Sequence, residues 1–137
     1  TWVLVGFTYN GTTDSHRIYV NGVDDGGGTF TPVSSTASAT ALGLASYTGS
    51  SSNQPFAGRI AEAYLWSTAL SVRQVAELYA SGKSVNARKL SSAGSLSLWC
   101  RMGDHPGDSA TSFWDVDGAI AGTGTNLEAG DITVDSP

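Results

Sequence analysis

Short apolar and aromatic runs, cut at close intervals by Gly, Asn, Asp, Ser and Thr, set the rhythm of this chain. Trp2 to Tyr9 combines aromatic and β-branched residues and reads as a strand, with Asn10-Gly11 turning the chain after it. His16 to Val20 sets Arg17 and Tyr19 against Ile18 and Val20, the period-two pattern of a sheet with one buried face. Asn21-Gly22 closes that strand with a strong hairpin signal. Asp24-Asp25-Gly26-Gly27-Gly28 is expected to be a flexible loop, with a short strand at Thr29 to Val33 whose Pro32 suits an edge. A further strand is expected over Ala41 to Tyr47, and the longest of all over Phe56 to Trp66, with Gly58 at a bulge.

One segment switches to helical spacing. Ser71 can cap a first turn while Gln74, three residues on, reaches back to complete a capping box. Val72, Val75, Ala76, Leu78 and Tyr79 make an apolar stripe, and Gly82 is a stop, so a helix is expected near residues 71–81. Residues 84–95 form a polar connection and Leu96 to Met102 a last clear strand. From residue 103 on, the chain is rich in Gly, Asp and Thr and is expected to wind over the surface. The division is therefore a sandwich over residues 1–102 and a segment at 103–137 packing on it or extending from it.

Composition narrows the picture. A chain of 137 residues suits one domain, and its 14% charged residues and 17 glycines suit short strands with tight turns rather than disorder. A net charge of −5 argues against a general phosphate-backbone binder, so nucleic acid is not an expected partner. Five of the seven basic residues fall between Arg73 and Arg101, which fits a solvated surface with neutralising contacts inside the fold, the alternative being head-to-tail packing of subunits. Cys100 is the only cysteine, in an apolar run, which excludes an intrachain disulfide and favours a buried thiol. No apolar run approaches the roughly 20 residues of a membrane-crossing helix, so no membrane insertion is expected. Because the sequence opens at Thr1 directly into an apolar run, the expectation is that a further segment precedes it.

Four motifs in order resemble the laminin-G-like branch of the concanavalin A-like jelly rolls. They are Trp2 to Gly11, Arg17-Ile18-Tyr19-Val20-Asn21-Gly22, Phe56 to Trp66, and Ala69-Leu70-Ser71 leading into Gln74, Val75, Leu78, Tyr79 and Gly82. The resemblance implies an all-β, antiparallel β-sandwich with one short helix. Complete domains of that family run longer and place several strands before the one resembling Trp2 to Tyr9. The expectation is therefore that the opening strands come from another polypeptide or an upstream segment, or that the fold is reduced. The stretches Leu98 to Asp104, Asp115-Val116-Asp117-Gly118, Gly122 to Leu127 and Asp131 to Pro137 resemble the ends of laminin-G-like proteins of tailed viruses of marine bacteria.

The chemistry points away from catalysis. The glucanases of the same superfold carry Glu-x-Asp-x-Glu on one strand, so that alternate carboxylates share a cleft. Here the nearest run is Asp115-x-Asp117 among turn formers, and Glu62 is the lone acid in a strong strand. His16 and His105 lie in no nucleophile or metal motif, and Gly26-Gly27-Gly28 lacks the Lys-Ser/Thr of a phosphate loop. The resemblance implies a calcium ion on rim oxygens, for which Asp24, Asp25, Asp104 and Asp108 are the candidates, with Asp115 and Asp117 behind them. None has the spacing of a calcium-binding loop, and Asp also serves as a turn former. Trp2, Trp66 and Trp99 are expected in the core, leaving Tyr47 and Trp114 as candidates for stacking on a ligand. Asn10-Gly11-Thr12 reads as a turn rather than a glycosylation site.

The expected function is a non-enzymatic structural or binding module. The first expectation is a virion component in capsid decoration, tail or fibre, contacting other virion subunits or copies of itself in an oligomer or larger assembly. The alternative is a secreted, extracellular adhesion module that binds carbohydrate, such as surface glycans, or protein.

Overall fold

The computed structural model describes residues 1–30 and 58–123. Within them the chain is built of antiparallel strands and one short α-helix. The strands β1 (Val5–Asn10), β2 (Ser15–Val20) and β3 (Val23–Thr29) form a meander in that order. After it come β4 (Ala63–Trp66), the helix α1 (Val72–Tyr79) and β5 (Leu96–Cys100), and β4 pairs with β5. A small hairpin of β6 (Ser112–Trp114) and β7 (Ala121–Thr123) follows.

Turn chemistry fixes the meander. Asn10 Oδ1 accepts the backbone N–H of Thr12 at 2.9 Å, closing an Asx turn between β1 and β2. Asn21 and Gly22, at φ 51° and 79°, make the two-residue turn whose twist suits a hairpin. Asn21 has a second task. Its side chain accepts the N–H of Leu4 at 3.1 Å and its own N–H donates to the Leu4 carbonyl at 2.9 Å, pinning the lead-in to β1.

Because the hairpin turn has only two residues, the chain enters β3 at once, and this overturns the expected loop. Asp24 to Gly28 lie in β3, not in a flexible connection. Asp25 is the extra residue of a bulge, since Tyr19 faces Asp24 and Ile18 faces Gly26. The glycines are what permit the pairing, because a Cβ on Gly27 would overlap the His16 carbonyl oxygen. The strand expected at Thr29 to Val33 is thereby displaced: Thr29 ends β3, Phe30 lies beyond it, and residues 31–33 lie outside the described residues. So does the expected strand at Ala41 to Tyr47.

The buried face of the meander carries Tyr19, 2% exposed, against Leu70 and Val75 with Trp66 packed beside them. Gly6 lies opposite Tyr19 and leaves room for its ring. Burial of a side chain such as Val75 stabilises by about 1.5–3 kcal/mol. The other face, with Val5, Phe7, Ile18 and Val23, is exposed. Tyr9, His16 and Phe30 extend it as a run of rings, with Tyr9 and Phe30 stacked at 5.3 Å and His16 tilted against Phe30 at 5.6 Å.

The helix forms as expected at its start. Ser71 Oγ accepts the N–H of Gln74 and the Gln74 side chain accepts the N–H of Ser71 at 2.9 Å. It ends earlier than Gly82. Ala80, Ser81 and Gly82 take φ 42°, 60° and 80° in succession, and this left-handed turn throws the chain back.

Two further strands are shorter than expected. Among the described residues of the long apolar run Ala63–Trp66 is strand, where β4 pairs with β5, and residues 58–62 lie outside that ladder. Phe56 and Ala57 lie outside the described residues. β5 stops at Cys100, before Met102 and Gly103 turn at φ 48° and 121°. The segment after residue 103 does not simply cover the surface. Asp115 is 8% exposed and accepts the N–H of Trp99 at 2.9 Å, while Val116 donates to the Trp99 carbonyl at 2.8 Å, extending the β4–β5 ladder.

Candidate functional site

A cleft of about 560 Å³ opens between the lead-in to β1, the segment before β4 and the end of α1. That volume falls within the about 300–1,000 Å³ usual for small-molecule sites. Trp2, Val3, Leu4 and Val5 form one wall, Arg59, Ile60 and Ala61 another, and Leu78 and Tyr79 bring in the helix. The left-handed turn at residues 80–82 returns Lys83 and Ser84 to the rim. Two of its residues, Ala80 and Ser81, hold a conformation that costs a non-glycine residue about 1–2 kcal/mol. Strain kept where it shapes a cleft is a pointer to use.

Glu62 and Tyr64 are the polar part of the cleft wall nearest β4. The Glu62 side chain is 8% exposed. Its Oε2 accepts the Tyr64 hydroxyl at 2.5 Å and the Trp99 indole N–H at 2.6 Å. Its Oε1 accepts the Ser84 hydroxyl at 2.6 Å, with Arg101 Nε 3.7 Å away. Arg101 in turn pairs with Asp104 at 2.6 Å. Burial first, and then the hydrogen bond to Glu62, push the Tyr64 phenol well above its ordinary range. Tyr64 stacks with Trp66 at 5.5 Å and with Trp99, its cross-strand partner, at 6.1 Å. Glu62 and Tyr64, which line the cleft, are thus held from behind by Trp66 and Trp99.

Trp2 is 37% exposed on the wall of this cleft, so the expectation that it is core is corrected; Trp99 is buried and Trp66 partly so. Trp2 precedes β1 and has no cross-strand partner among the described residues. Trp114, expected in loop-like sequence, closes β6 and is half-buried, stacked on His105 at 6.3 Å and away from the cleft lining. Tyr47 lies outside the described residues.

The cation candidates do not converge. Asp24 pairs with Arg17 at 3.1 Å and accepts the N–H of Gly26, while Asp25 is exposed at the bulge. Asp104 is engaged by Arg101. Asp108 accepts the N–H groups of Gly103 and Trp114, both at 2.8 Å, and so folds the turn beyond β5. Asp115 holds Trp99 and Asp117 pairs with Arg88. Among the described residues no three His, Cys, Asp or Glu side chains gather as a metal-binding group. These carboxylates serve turns and ion pairs.

The sequence marked Glu62 as a solitary acid without a task, and gave Arg59, Tyr79 and Lys83 no part in a site. The available signal was the acid itself within an apolar run, since a buried carboxylate requires donors.

No curated protein and no solved structure matches the chain. The profile of the Laminin_G_3 family, described as the concanavalin A-like lectin/glucanases superfamily, matches residues 1–76, which takes in the meander, β4 and α1 as far as Ala76. With more than half of its 137 residues matched, the chain belongs to the concanavalin A-like lectin/glucanase superfamily.

Proposed function

We propose that this chain is a non-enzymatic binding module that takes a saccharide ligand in the cleft beside Trp2, as an extracellular adhesion or recognition domain. The observation that carries the reading is the cleft itself, with an exposed indole on its wall and a floor locked by Glu62, Tyr64 and Trp99. Exposed aromatic faces beside fixed polar groups suit the apolar and hydroxyl faces of a sugar. Glu62 is the one carboxylate among the described residues lining the cleft, and three donors already occupy it, which supports binding over acid–base chemistry. Retention on a glycan array, lost on Trp2→Ala, tests the reading; an array with no retained glycan would sink it.

A second reading is a virion structural protein, part of a capsid decoration, tail or fibre. It is favoured by the exposed apolar face of β1–β3, with Val5 71%, Phe7 64% and Val23 67% exposed, a surface of the kind that subunit contacts cover. Light scattering on the purified protein discriminates: a large regular assembly supports the subunit role, and a monomer at high concentration removes it.

A further inference from the structure

Resting on the saccharide-binding reading, we infer that the cleft selects an acidic, N-acylated sugar unit, with Arg59 and Lys83 receiving its carboxylate. Of the seven basic residues, Arg17, Arg73, Arg88 and Arg101 form ion pairs with acidic side chains. Arg59, Lys83 and Lys89 have no ion pair among the described residues, and two of these three line the same cleft. In a chain of net charge −5, two cations without an ion pair among the described residues line one cleft, a local charge opposite to that of the whole molecule.

The two cations complement a carboxylate in different ways. Arg59 offers a planar fork suited to bidentate contact, and Lys83 a mobile point charge. Glu62 keeps its charge but has Arg101 Nε 3.7 Å away and forms no ion pair with Arg59 or Lys83. Val3, Ile60 and Leu78 give the wall an apolar part, which suits an acyl methyl group better than a fully hydroxylated ring. Trp2 can lie against the ring face.

The test is titration of the intact chain with the methyl glycoside of N-acetylneuraminic acid, followed by NMR or calorimetry. Glucuronate, N-acetylglucosamine and octanoate serve as comparison probes. Saturable binding is expected, at least about tenfold weaker for N-acetylglucosamine and glucuronate, and weakened about tenfold by Arg59→Ala or Lys83→Ala and by high salt. Both side chains are exposed, so both variants should fold, which their circular dichroism checks. Equal binding of N-acetylglucosamine, preference for octanoate, or indifference to both substitutions would overturn the inference. Retention of a neutral glycan that ignores Arg59→Ala and Lys83→Ala overturns the acidic selectivity alone and leaves the module a saccharide binder. No retention of any glycan removes both.

Discussion

The carboxylate of Glu62 accepts the indole N–H of Trp99 at 2.6 Å, across 37 positions of sequence, and so ties the cleft to the second sheet. The same carboxylate takes the Tyr64 and Ser84 hydroxyls. Removing it strands three donors and leaves Arg101 facing Asp104 alone. Glu62→Ala is expected to cost about 3–5 kcal/mol, the range for breaking a buried charged pair. Glu62→Gln keeps an acceptor but turns an amide donor toward the other donors, and should cost about 1–3 kcal/mol. Urea denaturation of the three proteins measures the order, and a Glu62→Ala protein as stable as the parent would refute the structural role.

Gly22 answers a different demand. It sits at φ 79°, and a Cβ there would lie 2.8 Å from the Tyr79 Cβ and 3.3 Å from the Ala76 Cα. The hairpin turn is thus pressed against α1. Gly22→Ala is expected to destabilise by about 2 kcal/mol or more, because positive φ and overpacking act together. Gly82→Ala, at φ 80° but with no atom nearer than 3.8 Å, isolates the backbone part and should cost less. Equal losses in thermal unfolding would show that the Gly22 contact with the helix is not close.

Local signals carried much of this architecture and failed at identifiable places. Asn21-Gly22 and the Ser71/Gln74 box act within a few residues, and both stand where the sequence puts them. The glycine run of β3 misled because glycine's freedom marks a loop in isolation, whereas here its missing Cβ lets Gly27 approach β2. The extent of β4 depended on where β5 offers partners, which no local run encodes. Asp115 read as a turn former, and only the return of the chain to Trp99 buries it. The cleft was the least legible part, since Trp2, Arg59, Glu62 and Lys83 stand far apart in sequence and share a lining only in the fold.

Cys100 is 6% exposed, and burial, followed by the charges of Asp115 and Asp108, raises its thiol above the usual range. The thiolate is the reactive form, so the native protein should react slowly with a thiol reagent at neutral pH and rapidly once denatured. Timed labelling in the presence and absence of denaturant checks this. Equal rates would place Cys100 at the surface.

Tyr64 gives the fold an alkaline limit. Burial and the Glu62 bond hold its phenol protonated in the native state above the pH of about 10 at which an unfolded tyrosine ionises. Above that pH the native chain keeps a proton that the unfolded chain has lost, so stability falls as pH rises, by at most ~1.4 kcal/mol per unit for one group. Below it the contribution is fully present. Tyr64→Phe should lose about 1 kcal/mol at neutral pH, with the hydrogen bond, yet decline less steeply above about pH 10. Denaturant midpoints for both proteins, taken from neutral to strongly alkaline pH, read the two slopes. Parallel slopes would mean that Tyr64 ionises as freely in the fold as outside it, and the floor of the cleft would then be open to water.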